Sequence, residues 1–347
     1  MRKISIILYT YNAIYSIEKI LVRLRNQSLR DFSCYVVDGG STDRTCAIAE
    51  GYSVLDNRFD LIRTNDLEKY EVYNNILDNL SCEYCIFLDQ YNIPMDDFLQ
   101  NIYDLAKSNN ADMAQYSEEN KDNNDNQIYI KNPLNAFIQV LKYGAEYPYL
   151  IKNSVIATNR FKGNTKYDMR LFILECIDNS RLIVENHCHL LYGIKERSND
   201  KHVISKGVFA QNSLDAIIRI MTYVQRFNNG LHIYALQHTI IETLNIADKL
   251  DNLRSKSQRK ALEYSKQICR TYSKWFIFSN GISLKLRFKA FIMCISYRLY
   301  NILNLSGKNS KKNIDRHKIY ISAKDKRLDR KSSKAYFKKN KTKESDK

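Results

Sequence analysis

Two apolar segments near the amino terminus each run directly into a polar turn. Residues 4–8 lead into Thr10-Tyr11-Asn12, and residues 32–37 lead into Asp38-Gly39-Gly40-Ser41-Thr42-Asp43. Short apolar runs bounded by turn residues are typical of buried strands. In an open parallel sheet, the turns that follow the carboxyl ends of neighbouring strands form the ligand-binding edge. The pattern therefore predicts two strands whose polar turns meet at one edge of a sheet.

Segments with helical periodicity separate these strands from two further ones. Apolar residues at helical spacing predict helices over residues 14–24 and 70–80, and a short helix ends near residue 48. Residues 59–63 and 84–89 are predicted strands, and the second of them ends in Asp89. Strands that alternate with helices in this order predict a parallel sheet.

The second half of the chain is dominated by helical patterns. Helices are predicted over 96–106, 134–143 and 167–178, strands over 112–116 and 181–185, and a solvated loop over 118–127. After Ser198 four helical segments follow, at 214–227, 231–250, 261–278 and 283–305. A membrane-spanning helix needs about eighteen apolar residues in succession. The most apolar segment, 282–305, is interrupted by Lys285, Arg287, Lys289 and Arg298.

Positive charge is concentrated at the carboxyl terminus. The formal net charge is +16, and residues 307–347 hold sixteen Lys or Arg against five Asp or Glu, so they supply +11 of it. A segment this charged and this poor in apolar residues is predicted to be disordered. Three roles stay open for the tail: to keep the chain soluble, to bind an anionic membrane surface or, as a weaker alternative, to bind nucleic acid.

The eight cysteines and the amino terminus indicate a cytoplasmic protein. The cysteines are scattered through apolar segments, which is typical of reduced core residues. Cys82 and Cys85 have the spacing of a metal or redox pair, and His187-Cys188-His189 is a similar pattern, but neither has partner ligands. The apolar run after Arg2 and Lys3 is too short for a signal peptide.

The two amino-terminal turns carry a resemblance to a known family. Ile4–Asn12 and Val36–Asp43 resemble the opening of glycosyltransferase family 2, whose members transfer a sugar from a nucleotide diphosphate. The resemblance implies that Thr10, Tyr11 and Asn12 contact the nucleotide. It also implies that Asp38 accepts a hydrogen bond from the base imide and that Gly39-Gly40 permits close backbone approach. The alternative from the residues alone is a helix cap with two permissive glycines.

Two further segments extend the resemblance toward the donor cleft. Residues 66–74, beginning with Asp66, look like the segment that lines this cleft, although the family's glycines fall on Glu68 and Cys82. Asp89 matches the first carboxylate of an Asp-x-Asp motif that holds Mg or Mn on the diphosphate, while Tyr91 and Asn92 occupy the next acidic positions. Weak magnesium binding, nucleotide binding without a metal, and no binding all stay open.

The last matching positions imply the reaction chemistry. Arg160-Phe161 and Tyr167-Asp168 align with the family's Arg-Phe and Glu-Asp pairs, and the second aspartate is the general base of these inverting enzymes. Asp168 is therefore the predicted catalytic base. The alternative is a carboxylate that stabilises a helix amino terminus through the helix dipole.

The sequence thus predicts a mostly parallel Rossmann-like sheet of the A-type glycosyltransferase fold. The predicted organisation is a nucleotide-sugar domain over 1–200, a helical region over 201–306 and a disordered basic tail over 307–347. The expected function is inverting transfer of a hexosyl group from a UDP-sugar to a surface-polysaccharide or lipid-linked acceptor, at the inner membrane face. The main alternative is a catalytically inactive binding or scaffold protein that keeps the fold.

Overall fold

The computed structural model describes residues 1–64, 67–116, 128–144, 148–186, 191–193, 207–227, 230–250, 255–278 and 284–302. These residues form two compact units. The first holds the described residues up to 136 together with 148–164 and 172–193, and the second holds 137–144, 165–171 and the described residues from 207 onward. The domain limits predicted at 200 and 306 lie outside the described residues, as do the loop at 118–127 and the tail at 307–347, and all of them stay predictions.

The first unit is built around an eight-stranded sheet. The strands of the chain, in order, are β1 (Arg2–Thr10), β2 (Phe32–Asp38), β3 (Phe59–Arg63), β4 (Cys82–Asp89), β5 (Asn92–Pro94), β6 (Met113–Tyr116), β7 (Ile128–Lys131), β8 (Tyr149–Lys152), β9 (Ile183–Asn186) and β10 (Leu191–Gly193). The sheet has the order β3-β2-β1-β4-β8-β6-β9-β7, and β5 pairs separately with β10.

The parallel half of the sheet confirms the predicted alternation of strands and helices. β1 pairs in parallel with β2 and β4, and β2 pairs in parallel with β3. The other half is mixed, because β8 is antiparallel to both β4 and β6, and β7 is antiparallel to β9. The short strands β5, β7, β8 and β10 were not predicted, since three or four residues do not give a readable alternation.

Twelve helices are described along the chain. They are α1 (Ile17–Arg25), α2 (Thr45–Leu55), α3 (Lys69–Asp78), α4 (Phe98–Ser108), α5 (Pro133–Tyr143), α6 (Asn153–Ile156), α7 (Lys166–Asp178), α8 (Gly207–Val224), α9 (Leu231–Lys249), α10 (Lys256–Phe278), α11 (Leu284–Ile295) and α12 (Tyr297–Ile302). Apolar residues of α1 and α4, such as Ile20, Leu24 and Ile102, pack with β1, β2 and β4 into one buried core. This burial fixes the strands whose carboxyl ends carry the candidate site.

The second unit differs from the sequence expectation in its helix limits: α8 begins at Gly207 instead of residue 214, and α10 begins at Lys256 instead of residue 261. The single helix predicted over 283–305 is two helices, since α11 ends at Ile295 and α12 begins at Tyr297. Ser296 lies between them, and its hydroxyl oxygen accepts a hydrogen bond from the Leu299 N–H at 3.5 Å. A serine that caps a new helix in this way competes with continuation of the old one. Among the described helices, none is both long enough and apolar enough to cross a bilayer.

Candidate functional site

The carboxyl ends of β1, β2 and β4 meet at one edge of the sheet. In the strand register Thr10 lies beside Asp38, and Tyr9 lies beside Asp89. The turns that follow these strands therefore start next to each other. Parallel sheets bind ligands at this edge, so the polar side chains of the turns are the candidate site.

The turn after β2 is organised around the Asp38 carboxylate. Its Oδ2 accepts a hydrogen bond from the Ser41 N–H at 3.0 Å, and its Oδ1 accepts one from the Ser41 hydroxyl at 2.6 Å. Gly40, between them, has a φ of 84°, a left-handed conformation that glycine adopts without steric cost. Asp38 is only 2% exposed, so the turn holds an almost completely buried carboxylate in one orientation.

The turn after β1 is bonded to the turn after β2. The Asn12 N–H donates to the Ser41 hydroxyl oxygen at 2.9 Å, and the Thr42 N–H donates to Asn12 Oδ1 at 2.8 Å. Tyr11 and Asn12 are exposed, whereas Thr10 is fully buried and its hydroxyl has no partner among the described residues. Of the predicted nucleotide contacts, Thr10, Tyr11, Asn12, Asp38 and Gly40 thus lie together. Asp66 lies outside the described residues.

The polar side chains of the turn after β4 accept hydrogen bonds from the backbone of this turn and from the turn after β1. Asp89 Oδ1 accepts a hydrogen bond from the Tyr91 N–H at 2.9 Å, and the Asp89 N–H donates to Asn92 Oδ1 at 3.3 Å. The Tyr11 N–H donates to Gln90 Oε1 at 2.7 Å. Burial raises the pKa of Asp89, while the Tyr91 N–H and the Lys69 ammonium act in the opposite direction.

This arrangement is a poor ligand set for a divalent cation. Mg²⁺ and Mn²⁺ prefer several oxygen ligands, usually including carboxylates. Asp89 is the one carboxylate of the turn, and the amide oxygens of Gln90 and Asn92 accept backbone hydrogen bonds. The part of the chain that the structure describes contains no group of three His, Cys, Asp or Glu side chains able to hold a metal ion. The described residues therefore do not fit the cation that the sequence resemblance implies.

A lysine that the sequence reasoning did not single out lies at this edge. Lys69 is the first residue of α3, and its ammonium lies 4.1 Å from the ring centroid of Tyr9. It also lies 5.2 Å from the Tyr70 ring and 5.4 Å from the Tyr73 ring. The neighbouring Glu68, which takes a glycine position of the family, accepts a hydrogen bond from the Asn164 side-chain amide. Lys69 could have been found only from its place in the segment 66–74 that resembles the donor cleft.

Asp168 belongs to the second unit, near the start of α7. Its Oδ2 accepts hydrogen bonds from the Thr165 N–H at 2.9 Å and the Thr165 hydroxyl at 2.7 Å. Its Oδ1 accepts a hydrogen bond from Arg219 Nη2 at 2.6 Å. The Asp168 side chain is 0% exposed. A carboxylate that bonds the backbone N–H three residues before it is half of a capping box, which is the helix-terminal alternative foreseen from the sequence.

A buried polar cluster follows Asp168 in the same unit. The Tyr167 hydroxyl donates to Glu242 Oε2 at 2.8 Å, and Arg170 Nη1 lies 3.9 Å from Glu242 Oε1. Burial alone would raise the pKa of Glu242, but Lys166 and Arg170 lower it to about 2. Burial, reinforced by Arg170, lowers the pKa of His238 to about 3. His238 is therefore neutral, and neither ring nitrogen has a partner among the described residues.

Five of the seven described cysteines are buried core residues, and Cys46 and Cys294 are half-buried. Of those that the structure describes, all seven are unpaired, and Cys82 and Cys85 are buried in β4. Burial raises the pKa of both thiols, so neither is a reactive thiolate at neutral pH. The His187-Cys188-His189 pattern lies outside the described residues.

Comparison with known proteins finds a family model that matches the first part of the chain. Residues 5–166 match the model for glycosyl transferase family 2, and the match ends before Asp168. The poly(ribitol-phosphate) beta-N-acetylglucosaminyltransferase TarP of Staphylococcus aureus is 25% identical over 194 residues, which are 52% of this chain and 59% of TarP. Glycosyltransferase GlyA of Streptococcus pneumoniae is 28% identical over 112 residues, 32% of this chain and 16% of GlyA. The matches thus span less than two thirds of either relative.

A solved structure confirms the fold. S. aureus TarS 1–349 in complex with UDP-GlcNAc superimposes with a TM-score of 0.60 over 87% of this chain and 89% of TarS 1–349, at 17% identity. An identity this low supports a shared fold. The mostly parallel sheet with a helical carboxyl-terminal region, expected from the sequence, is therefore the A-type glycosyltransferase fold.

Proposed function

Because residues 5–166 match the model for glycosyl transferase family 2, we propose that the protein transfers a sugar from a UDP-sugar donor to a hydroxyl group of a surface-polysaccharide or lipid-linked acceptor. The observation that carries the proposal is the bonded pair of turns formed by Asn12, Asp38 and Ser41 at the ligand-binding edge of the sheet. Such rigid turns give a nucleotide a fixed surface.

Asp38 is the proposed partner of the nucleotide base. A carboxylate oxygen has two lone pairs, and each Asp38 oxygen uses one of them on Ser41. A remaining lone pair would accept the imide N–H of uracil. Cytosine lacks this N–H, so the same carboxylate would select uridine nucleotides. Tyr11 and Asn12, which are exposed beside it, supply the neighbouring contact surface.

Asp168 is the proposed general base of an inverting displacement. In this step the acceptor oxygen bonds to the anomeric carbon while the bond from that carbon to the diphosphate oxygen breaks. The electron pair leaves with the diphosphate, and the acceptor proton passes to Asp168. Since the Asp168 carboxylate is buried against Thr165 and Arg219, Arg219 has to release Oδ1 before an acceptor hydroxyl can approach it.

The second candidate function is a binding protein that holds a UDP-sugar without transferring the sugar. The engagement of both Asp168 oxygens favours it, because a carboxylate used as a helix cap and an ion-pair partner has a sufficient structural role. The two candidates share the nucleotide site and differ in turnover.

Release of UDP from a panel of UDP-sugars tests the proposal. We expect the wild-type protein to release UDP from at least one donor, and an Asp38→Asn variant to do so with a raised KM. Asp60→Asn, which changes an exposed carboxylate of β3, is the matched control and should behave as wild type. UDP binding without release from any donor, including in the presence of isolated cell-envelope polysaccharide, would support the binding protein instead.

An anionic membrane surface is the proposed partner of the helical region. Leu284, Phe288, Phe291 and Ile295 recur at helical spacing along α11, Leu299 continues the series on α12, and all five are between 44% and 80% exposed. Ala290 and Met293 of α11 are buried, and Lys289 pairs with Asp248 at 3.8 Å instead of facing solvent. One side of α11 is thus packed, while the other presents an apolar stripe.

The charge around the stripe suits anionic lipid. Residues 264–314 contain ten Lys or Arg and no Asp or Glu. An apolar helix face among cations binds in the interfacial layer of a bilayer, and each basic residue near an anionic surface adds about 1 kcal/mol. Membrane binding would hold the protein where lipid-linked acceptors lie.

A further inference from the structure

A diphosphate leaving group needs positive charge, and the turn after β4 does not offer a ligand set for a metal ion. As the C–O bond of the donor breaks, negative charge grows on the diphosphate oxygen, and a cation placed there stabilises this charge. The amide oxygens of Gln90 and Asn92 already accept backbone hydrogen bonds, and Asp89 shares one oxygen with Tyr91. Among the described residues, the positive charge is therefore expected from a side chain of the site.

Lys69 lies at the same edge of the sheet as the turns of the candidate site. Its ammonium rests on the Tyr9 ring at 4.1 Å, and Tyr9 lies beside Asp89 in the register of β1 and β4. The Tyr9 ring reaches toward the turn after β2, since a methyl group added to Gly39 would collide with the Tyr9 hydroxyl. The ammonium is thus placed at the edge where the turns after β2 and β4 begin.

Aromatic packing holds Lys69 in this place. Its ammonium lies within 6 Å of the Tyr9, Tyr70 and Tyr73 rings, a distance at which a cation is attracted to an aromatic face. Tyr70 stacks on Phe161 at 4.5 Å, and Tyr73 meets the same ring edge-on at 5.6 Å. Lys69 also begins α3, so the partial positive charge of the helix amino terminus adds to its own.

We propose that the Lys69 ammonium binds the donor diphosphate and stabilises the charge of the leaving group in place of a divalent cation. This inference rests on the proposed UDP-sugar site. No proton needs to pass from Lys69, because the electron pair of the broken C–O bond stays on the diphosphate and the ammonium acts as a fixed charge. The Lys69 ammonium also acts electrostatically on Asp89, the last residue of β4.

Calorimetric titration with UDP and with uridine, each in EDTA and in Mn²⁺, tests this role. Lys69→Met removes the charge and keeps the aliphatic stem, and Lys69→Arg keeps the charge. Lys3→Met is the matched control, because the Lys3 ammonium also lies on a tyrosine ring, 5.0 Å from that of Tyr103, but at the opposite end of β1.

We expect wild-type protein to bind UDP in EDTA, Lys69→Met to bind it at least about tenfold more weakly, and Lys69→Arg and Lys3→Met to bind it within about threefold of wild type. Uridine, which lacks phosphate, should bind all four proteins equally, which also shows that the variants are folded. Equal UDP affinity of Lys69→Met and wild type, or UDP binding by wild type that requires Mn²⁺, would overturn the role of Lys69. Failure of wild type to bind both ligands would overturn the proposed function, and this inference with it.

Discussion

Arg219 Nη2 lies 2.6 Å from Oδ1 of Asp168, and the Asp168 side chain is 0% exposed. The pair joins α8 to the start of α7 within the second unit. Charge-assisted hydrogen bonds contribute more than neutral ones, and a buried carboxylate left without its cation is costly. The carboxylate expected to accept a proton is therefore also part of the framework of this unit, and experiments have to separate these two roles.

The turnover number of an Asp168→Asn variant distinguishes the catalytic role of Asp168 from its structural role. If Asp168 is the general base, the variant should lose at least about a hundredfold in kcat while its affinity for UDP is unchanged. Thr165→Val, which removes one hydrogen bond to the same carboxylate, is the control and should lower Tm with little change in kcat. If Asp168→Asn lowers Tm but turns over as wild type does, Asp168 is a structural capping residue.

Arg219→Gln should remove the ion pair with Asp168 and lower the free energy of unfolding. Loss of a hydrogen bond between charged groups destabilises a protein by about 2 kcal/mol, and urea unfolding measures the change. Arg226→Gln is the control, since Arg226 is an exposed arginine that follows the same helix. An unfolding free energy of Arg219→Gln equal to that of Arg226→Gln would show that the pair contributes nothing to stability.

The stability of the second unit should fall in acid through His238. Its pKa is about 3 in the folded protein, well below the ordinary histidine value of 6.5, so below pH 6.5 the unfolded chain binds a proton that the folded protein does not. Stability is then lost as pH falls, by about 1.4 kcal/mol per pH unit for one proton. Glu242, with a pKa of about 2 against 4.5, adds a loss of the same sign below pH 4.5.

Urea unfolding at pH 7.5 and pH 5.0 measures this effect. Between these values the wild type should lose about 2 kcal/mol more than His238→Phe, which has no imidazole to protonate. His232→Phe, at an exposed position of the same helix, should lose as much as wild type. Equal losses in wild type and His238→Phe would contradict the assignment.

Alanine substitutions at two glycines should change the stability of the protein in opposite directions. Neither Gly40 nor Gly51 has an atom within 4 Å of an added methyl group, but Gly40 has a φ of 84° whereas Gly51 lies within α2. Gly40→Ala should destabilise the protein by about 1 kcal/mol and weaken UDP binding, because the turn of Asp38 is strained. Gly51→Ala should stabilise it by about 0.5–1 kcal/mol without a change in UDP affinity. Thermal unfolding and calorimetry on both variants check this pair.

Membrane binding should depend on the apolar stripe and on the basic tail. In vesicle flotation, the full chain should bind anionic vesicles, and both Phe288→Gln/Phe291→Gln and truncation after Ser306 should reduce the bound fraction. Val54→Gln/Leu55→Gln, which changes two exposed apolar residues of the first unit, is the control. Binding through the tail should weaken as salt rises, since the Debye length is about 8 Å at physiological salt.

Equal flotation of all variants with anionic and neutral vesicles would contradict a membrane role. A stripe variant that is monomeric where the wild type self-associates would assign the stripe to a second copy of the chain. Preferential binding of the full chain to RNA would revive the nucleic-acid alternative.

The parallel strands and their turns were predictable because local pattern and long-range pairing agree. In β1 and β2 an apolar run is followed directly by turn residues. The buried sheet needs apolar strands and the chain needs a turn at the end of each strand, so the local pattern agrees with the fold. The break at Ser296 was not predictable from the apolar periodicity, since that periodicity continues from Ile295 to Leu299 and the serine acts through its hydroxyl. Periodicity reports which face is apolar, not whether the backbone is continuous.

The candidate site was partly predictable for a related reason. Asp38 and Asn12 stand in turns with a readable motif, whereas Lys69 gains its position from a tyrosine 60 residues earlier in the chain. The engagement of Asp168 by Arg219, 51 residues later, is likewise a tertiary contact. Residue type and spacing indicate the chemistry of a site, but a partner distant in sequence decides whether the group is available.

Calorimetric titration of UDP into wild type, Asp38→Asn and the Asp60→Asn control tests the central claim most directly. A lost hydrogen bond to a buried carboxylate should weaken UDP binding about tenfold to a hundredfold in Asp38→Asn, and Asp60→Asn should match wild type. CDP should bind wild type more weakly than UDP does, because cytosine has no imide N–H to donate to the Asp38 carboxylate. UDP affinity that is unchanged in Asp38→Asn, or equal affinity of wild type for UDP and CDP, would contradict the account.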